Sequence, residues 1–471
     1  MKKLISSITA VLMLVSVIFV YPAFGLTQTP SLEGEAAILL DLTTGEVLYE
    51  QNADEKLYPA STTKMMTCIL ALENLDMNKV LTMDDEVHAT GGSVIGLKDG
   101  ENISVEVLIN ALMVRSANDC GVGLAKGISG SVASFADKMN AKAEELGCTG
   151  THFVNPHGLH DDEHYTTARD LSIIAQYCMK NETFREIVRQ PMYTVPATNM
   201  NPEVLVVNTN YMLNDENDAN RIYVGNELRY CKYDGCIGIK TGYTSQAGGC
   251  LVAAATRGNT TLLSVVLKSS TYGRFADSIK LLDWGFENYR TLNVAKAGED
   301  TGTIAVKKGE FNKVGTELSS DIYVTVPNDA ADSIIQPDVR IDESIKAPVS
   351  AGTVVGKYVI VESGNEVAAY DIITTEDIAE GGFLSNFGIE DSVARKIKYT
   401  ILGIFLLLFT ALVVWVLYKR HETKVKRARR DAKRAAYRAE QARKRAEWEA
   451  QYDRRYDKPV PPDEEEGYNG Y

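Results

Sequence analysis

The sequence predicts an α/β fold of the α+β kind, with an antiparallel sheet and a segregated helical lobe. A small all-β domain and a single membrane-crossing helix come after it. Three observations carry this prediction. Strand-like hairpins stand on either side of a helix-rich middle, the order expected of a sheet with helices gathered to one side rather than of a doubly wound sheet. After about Leu292 the texture changes to short β-like runs separated by Gly, Asn and Asp. Further on, Tyr399 to Tyr418 carries no charge across twenty residues, the length a helix needs to cross ~30 Å of hydrocarbon. At 471 residues the chain is long enough for two or three folded units.

The N-terminus reads Met1-Lys2-Lys3, an apolar stretch from Leu4 to about Val20, and then Ala23-Phe24-Gly25. Basic start, apolar middle and small residues at a cleavage site predict an export signal at 1–25. The rival is an uncleaved N-terminal anchor, and either places the chain between this segment and Tyr399 outside the cytoplasm. The first folded unit is expected at 30–292. Ala36–Leu42 and Val47–Tyr49 read as a hairpin turned at Gly45, and a helix starts after Pro59 with Met65, Met66, Ile69, Leu70 and Leu72 on its apolar surface. Helical periodicity recurs at Val105–Val114, Val132–Leu146 and Ala168–Met179. "GGCLVAAAT", the turn Arg257-Gly258-Asn259 and "TTLLSVVL" make a second hairpin, and a helix through "RFADSIKLLDWGFENY" closes the unit.

The β domain is expected at 293–383, with "KYVIVESGNEVAAYDII" alternating around Gly364-Asn365 as a hairpin. A juxtamembrane connector at 384–398, the membrane helix at 399–418 and a basic tail at 419–471 complete the chain. The tail is expected to continue as an exposed helix to about Tyr456 and then to lose order in "PVPPDEEEGYNGY". No internal repeat is present.

The formal charge of −14 averages over parts of opposite character. The tail holds sixteen Lys/Arg against eleven Asp/Glu, the basic residues crowding the apolar run, which is the positive-inside pattern. Between signal and span the net is −21, so the exported part is strongly acidic and no nucleic-acid partner is expected. The expected location is the cell membrane, single-pass, with the folded units outside and the tail cytoplasmic. There the tail meets anionic lipid or a cytoplasmic protein, or serves only as a stop-transfer signal. The seven cysteines, an odd number, do not describe a disulfide scaffold, and a Cys231–Cys236 bridge, which their spacing permits, is not expected. His152, His157, His160 and His164 lie near Cys148 without a paired cysteine, so no zinc site is expected.

In "PASTTKMM" Ser61 and Lys64 are one helical turn apart and share a face. Alone, such a pair reads as an N-cap serine and a lysine snorkelling to solvent. Two further clusters change that reading: Ser116-Ala117-Asn118 after an apolar helical stretch, and Lys240-Thr241-Gly242 beside the second hairpin. S-x-x-K, S-x-N and K-T-G in this order are the signature of penicillin-recognising serine acyltransferases. A serine hydroxyl is a weak nucleophile that needs a base within hydrogen-bond reach. Lys64 serves if burial and a second cation, Lys240, lower its pKa. Ser61 at a helix N-terminus also directs its own N–H toward a developing oxyanion.

The stretches "LYPASTTKMMT", "RSANDC", "FVNPHGLHDDEHYTTARDLSIIAQY", "GIKTGYTSQAGGCLVAAAT" and "LLDWGFENY" resemble the low-molecular-mass penicillin-binding proteins, the serine D-alanyl-D-alanine carboxypeptidases. The likeness runs from about Ala36 to Tyr289, and the β region after it resembles the family's small C-terminal domain. The resemblance implies a transpeptidase/β-lactamase-like catalytic fold acting on peptidoglycan stem peptides that end in D-Ala-D-Ala, with β-lactams as covalent inhibitors and neither metal nor organic cofactor. It implies Ser61, Lys64 and Ser116 as catalytic residues. Asn118, Lys240, Thr241, Gly242, Tyr243 and Arg274 are implied as substrate-binding, the N–H of Tyr243 completing the oxyanion site and Thr241 with Arg274 holding the terminal carboxylate. Around Arg274 the chain is one residue shorter than the family pattern. "NPHGLHDDEHYTTARD" is expected to fold over the site. His157 and Asp170 there invite a triad reading, against which a structural role is expected, and Glu163 is the one candidate for a deacylating base of the class A β-lactamase kind. The chain departs from members that end in an amphipathic helix lying on the membrane. The rival functions are a DD-endopeptidase or β-lactamase on the same site, or a silent wall-binding scaffold.

Overall fold

A computed structural model describes residues 27–331, 334–362 and 364–455. The expected export signal and the end of the tail lie outside the described residues. The first hairpin, β1 (Ala36–Asp41) and β2 (Val47–Gln51), is joined far along the chain by β3 (Cys236–Thr244), β4 (Gly248–Arg257) and β5 (Thr260–Ser269). They form one antiparallel sheet in the order β2-β1-β5-β4-β3. Because β1 pairs with β5 from Ala36↔Leu267 to Asp41↔Leu262, the helices lie in an insertion between the second and third strands. This segregation is what the element order predicts.

Side chains alternate across a strand, yet β1 reads as an unbroken apolar run because both faces of the sheet are covered. Ile38 and Leu40 join Val252, Ala254 and Val265 against the helical lobe, whereas Ala37 and Leu39 join Leu251, Ala253 and Leu262 against the other layer. That second layer is α7 (Gly273–Asn288), which contributes Phe275, Ile279 and Leu282.

The lobe holds α1 (Lys64–Asn74), α2 (Val105–Val114), α3 (Asn118–Ser129), α4 (Val132–Glu145), α5 (Ala168–Lys180) and α6 (Glu182–Val188). Side-chain caps start four of them: Ser104 accepts from the Val107 N–H, Ser131 from Ser134, Thr167 from Asp170 and Asn181 from Phe184. The sequence reading has no counterpart to α3. Its glycines lower helix propensity, but they let the helix pack closely: a Cβ at Gly123 would sit 2.7 Å from Met83 Sδ and one at Gly127 2.6 Å from Leu81 Cδ1. Tertiary packing overrides propensity there.

After α7 come β6 (Tyr289–Ala295), β7 (Asp300–Lys307), β8 (Lys313–Leu318), β9 (Ile322–Pro327), β10 (Ile335–Ile341), β11 (Ser344–Lys346), β12 (Val354–Glu362) and β13 (Asn365–Thr374). In the compact unit that contains the sheet and lobe, β6 pairs antiparallel with β9, and β10 with β12. The first of these strands starts at Tyr289, ahead of the boundary expected at 293. Asp41, fully buried at the end of β1, accepts hydrogen bonds from the hydroxyls of Thr291 on β6 and Thr325 on β9.

In the second unit β7 runs parallel to β11, and isolated bridges join Gly309 to Glu380 and Val349 to Ile378. A 3-10 turn at Phe383–Phe387 leads to α8 (Asp391–Asp453), 63 residues without a break. The expected connector therefore ends inside the helix. An 18-residue window of α8 reaches a mean hydropathy of 2.7, with none of it buried, so it is long and apolar enough to cross a membrane.

Candidate active site

Ser61 lies in a 3-10 turn, Ala60–Thr63, that runs directly into α1. It is not an N-cap: the turn comes after Pro59, and the serine side chain caps nothing. Lys64 does not snorkel either, since it is fully buried. Its Nζ donates to Ser61 Oγ at 2.8 Å, to Asn118 Oδ1 at 2.7 Å and to the carbonyl of His157 at 2.7 Å. Burial holds the Lys64 pKa well below the usual lysine range, and the Lys240 charge pushes it down further.

Between α2 and α3 the chain reverses at Ser116, whose φ of 65° is left-handed and costs ~1–3 kcal/mol in a non-glycine residue. The reversal brings Ser116, 6% exposed, and Asn118 onto one short connection. Asn118 Nδ2 donates to the carbonyl of Gly91 at 2.8 Å, and this fixes the amide so that its oxygen faces Lys64. The Asn118 N–H donates to the carbonyl of Ser93 at 2.6 Å. Beside it the buried Asp119 carboxylate accepts from the N–H groups of Ile95, Gly96 and Leu97. Residues 91–97 are thereby tied to the start of α3. Sequence reasoning missed this clamp; an acid in the first turn of a helix, with "TGGSVIG" upstream, is the signal it leaves.

Lys240, Thr241, Gly242 and Tyr243 lie on β3, the edge strand of the sheet. A Cβ on Gly242 would stand 2.9 Å from both Pro59 O and Ser61 N, so only glycine lets the strand run this close to the serine turn. Lys240 is buried, with its Nζ donating to the carbonyl of Thr241 at 3.0 Å. Burial first, and then the Arg274 charge, lower its pKa to about 7. Thr241 Oγ1 lies 2.6 Å from Thr209 Oγ1, a partner the sequence did not flag. Tyr243 is exposed.

Arg274, in the first turn of α7, reaches back to β3 and donates from Nη1 to the carbonyl of Gly242 at 2.6 Å. The guanidinium sits 4.9 Å from the centre of the Phe275 ring, and its buried Nε has no partner among the described residues. The shorter local sequence therefore still delivers the arginine to the strand.

The loop expected over the site is pinned beneath the serine turn. Gly158 has a φ of +82°, and a Cβ there would fall 1.8 Å from Ala60 O. The carbonyl of Pro156 accepts from Thr67 Oγ1 at 2.6 Å, next to the His157 carbonyl that receives Lys64. His157 is not part of a triad. Its Nδ1 accepts from the Leu159 N–H, and burial lowers its pKa to about 3. Asp170 instead accepts from the Gly150 N–H and the Thr151 hydroxyl.

His164 is likewise structural. Val154 N–H donates to its Nδ1, so its Nε2–H faces Thr63 Oγ1, which in turn donates to Ala60 O; burial lowers its pKa to about 4. Glu163 is exposed, with its N–H on Asp161 and its carbonyl on His152. All seven cysteines are free thiols, so Cys231 and Cys236 do not bridge. Among the described residues no cluster of three metal-ligating side chains is present.

A serine bonded to a buried lysine at the head of α1 lies against the edge strand of an antiparallel sheet that is packed between two helical layers, and that strand carries a second buried lysine. These features define the penicillin-recognising class of serine acyl-transfer enzymes. The model of the family described as D-alanyl-D-alanine carboxypeptidase matches residues 25–271, and that of the penicillin-binding protein 5 C-terminal domain matches 289–380. The chain is 32% identical over 404 residues to D-alanyl-D-alanine carboxypeptidase DacF of Bacillus subtilis, covering 82% of this chain and 97% of that one. It is 31% identical to DacA of Escherichia coli K12, covering 75% and 86%. Penicillin-binding protein 5 of Haemophilus influenzae has the same fold, with a TM-score of 0.62 at 30% identity over 75% of this chain and all of that one. The chain therefore belongs to the serine D-alanyl-D-alanine carboxypeptidase family, and its enzyme class is a peptidase hydrolase.

Proposed function

We propose that this chain is a membrane-anchored serine carboxypeptidase that removes the terminal D-alanine from peptidoglycan stem peptides through an acyl-enzyme on Ser61, and that β-lactams acylate the same serine. The observation that carries the reading is the set of three partners around Lys64 Nζ. Two of them, the His157 carbonyl and Asn118 Oδ1, can only accept. A neutral amine gives its two hydrogens to those acceptors, and its lone pair is left facing the third, the Ser61 hydroxyl at 2.8 Å.

Lys64 then takes the hydroxyl proton as Ser61 Oγ attacks the carbonyl between the last two alanines. The N–H groups of Ser61 and Tyr243 stabilise the oxyanion. Collapse breaks the C–N bond, and the proton passes from Lys64 through Ser116 to the departing amine. Asn118 and the backbone of β3 hold the peptide, and Lys240, Thr241 and Arg274 face its terminal carboxylate. Water then attacks the ester, giving its proton to Lys64, which returns it to Ser61.

The catalytic unit is assigned to 30–292, the β domain to 293–383 and the span to 399–418. The positive-inside asymmetry favours a single pass with the catalytic unit outside and the tail in the cytoplasm. Mixing the protein with a fluorescent penicillin and with a peptide ending in D-Ala-D-Ala tests the reading. Stable labelling of the native chain and not of Ser61→Ala, with free D-alanine released, is the expected result. Rapid turnover of the penicillin would make the protein a β-lactamase, and no labelling at all would make it a scaffold.

A further inference from the structure

From the 3-10 turn that precedes α8 we infer an additional membrane contact: Phe383 and Phe387 lie in the outer leaflet, at the boundary between headgroups and acyl chains, beside the first turn of the span. The inference rests on the anchoring reading above and adds to it a lipid-facing site on the folded part of the chain.

Phe383 and Phe387 are 78% and 71% exposed, and their rings meet edge to face at 5.7 Å. Two large aromatic side chains presented together to water are costly, at roughly 25 cal/mol per Å² of apolar surface left uncovered. Yet the turn that carries them is firmly fastened. Gly381 N–H donates to the carbonyl of Lys308, Gly382 N–H to Asp391 Oδ1 at 2.9 Å, and Asp391 N–H to the carbonyl of Glu310. Ser385, at the centre of the turn, is buried and donates to the carbonyl of Gly382 at 2.6 Å. The backbone is thus held in a shape that pushes both rings outward.

Continuity with the span identifies what covers them. A groove of about 500 Å³ runs between the turn and α8, lined by Phe383 and Leu384 on one side and Ala394, Ile397 and Ile401 on the other. Ile401 is already the third residue of the charge-free run that starts at Tyr399. The groove also takes in Gly382 and Asp391 and follows α8 as far as Ile401, ~15 Å at 1.5 Å per residue, so the turn lies alongside the approach to the span and its first residues.

Charge agrees with this placement. Arg395, Lys396 and Lys398 occupy the turn of α8 just before the apolar run, and Arg395 and Lys398 line the same groove. Cations at that level match the phosphates of an anionic lipid surface. Apolar rings beside basic residues at the entry to a span make the arrangement of an interfacial segment. The turn would act as a second foothold, limiting how far the folded part can swing about the span.

Tryptophan fluorescence of the full-length chain in vesicles containing brominated lipids tests this. Phe383→Trp and Phe387→Trp each add one reporter to the native Trp284, Trp415 and Trp448, and Trp415, inside the charge-free run, reports on the span itself. The expected result is a blue-shifted added signal, quenched at least twofold and more by bromines near the headgroup than by bromines near the chain end. Trp415, three residues from the inner end of the run and so ~4.5 Å from it at 1.5 Å per residue, should also be quenched, more by bromines near the headgroup than by those near the chain end, read as the difference between the parent and Trp415→Phe. If Trp415 is quenched but the added tryptophans emit as in water, the inference fails alone. Blue-shifted but unquenched emission would assign the rings to a protein partner and also overturn it. An unquenched Trp415 would remove the anchor, and the inference with it.

Discussion

Two sets of cations in this chain obey the same chemistry with opposite results. Lys64 and Lys240 are buried side chains, and desolvation first, then a neighbouring cation (Lys240 for Lys64, Arg274 for Lys240), pushes both below the ordinary lysine range. Along the C-terminal part of α8, Lys444 pairs with Glu440 at 3.0 Å, Arg443 with Glu447 at 2.7 Å and Arg445 with Glu449 at 3.0 Å, all exposed and one turn apart. On the proposed mechanism burial converts a lysine into a base, whereas exposure leaves it as solvation for a helix. Sequence spacing alone does not separate the two, since S-x-x-K and the pairs on α8 both place residues one turn apart.

The comparison is broken most severely by removing the buried base. Lys64→Met keeps the length of the side chain and loses the amine, so acylation by penicillin and release of D-alanine should both fall by about 10²–10⁴-fold. Melting temperature should fall modestly, because the His157 carbonyl and Asn118 Oδ1 lose their buried donor. Stopped-flow acylation together with a thermal melt reads both. Unchanged acylation would mean that Lys64 is not the base.

Protonation separates the two lysines. Lys240 is charged below about 7 and neutral above it, while Lys64 acts only when neutral, so kcat/KM should rise with pH as Lys64 loses its proton and fall through about 7 as Lys240 does. Lys240→Arg, charged throughout this range, should lose the alkaline limb while retaining part of the activity. Stability has its own sign. A lysine whose pKa is lowered by folding destabilises the native state increasingly as pH falls from the unfolded value near 10.5 toward about 7, and the penalty is constant below that. Lys240→Met should therefore be the more stable protein at pH 6, by about 1–4 kcal/mol, and the gap should close toward pH 10. Denaturant titrations at the two pH values measure it.

A smaller effect belongs to Asp119, a positioning residue that acts through Asn118 and residues 91–97. Asp119→Asn removes the negative carboxylate that accepts the N–H groups of Ile95, Gly96, Leu97 and Cys120 and also the charge that raises the Lys64 pKa. The expected loss in kcat/KM is about 10-fold, carried mostly by KM, with the acidic limb moved to lower pH. A purely structural role would leave that limb in place. Asp119→Glu should restore the limb while leaving the loop contacts imperfect.

How much of the fold and the site was legible in the sequence depends on which forces are local. The hairpins, α1, α2, α4, α5 and α7 announce themselves through periodicity and turn residues, and S-x-x-K, S-x-N and K-T-G mark the three places that the fold gathers. Helix α3 is hidden because its glycines serve packing against Met83 and Leu81 rather than helix propensity. The carbonyl of His157 and the hydroxyl of Thr209 are hidden for another reason. A backbone acceptor carries no residue type, and a threonine paired across 32 residues has no local pattern. The side chain of His157 drew attention in the sequence, whereas its backbone carbonyl is what reaches Lys64.

The smallest expected effect tests the exposed side of the comparison. Glu447 accepts from Arg443 one turn earlier, with both side chains more than half exposed. Exposed pairs at this spacing contribute ~0.3–0.5 kcal/mol, diminished by salt. Glu447→Gln should therefore lower the helicity of the tail only slightly at low salt and not at all at high salt, with D-alanine release unchanged. Circular dichroism of the full-length chain at two ionic strengths reads the difference. A salt-independent loss of helix would mean that Glu447 meets something other than water and Arg443, and the boundary between functional and solvating cations would then have to move into the tail.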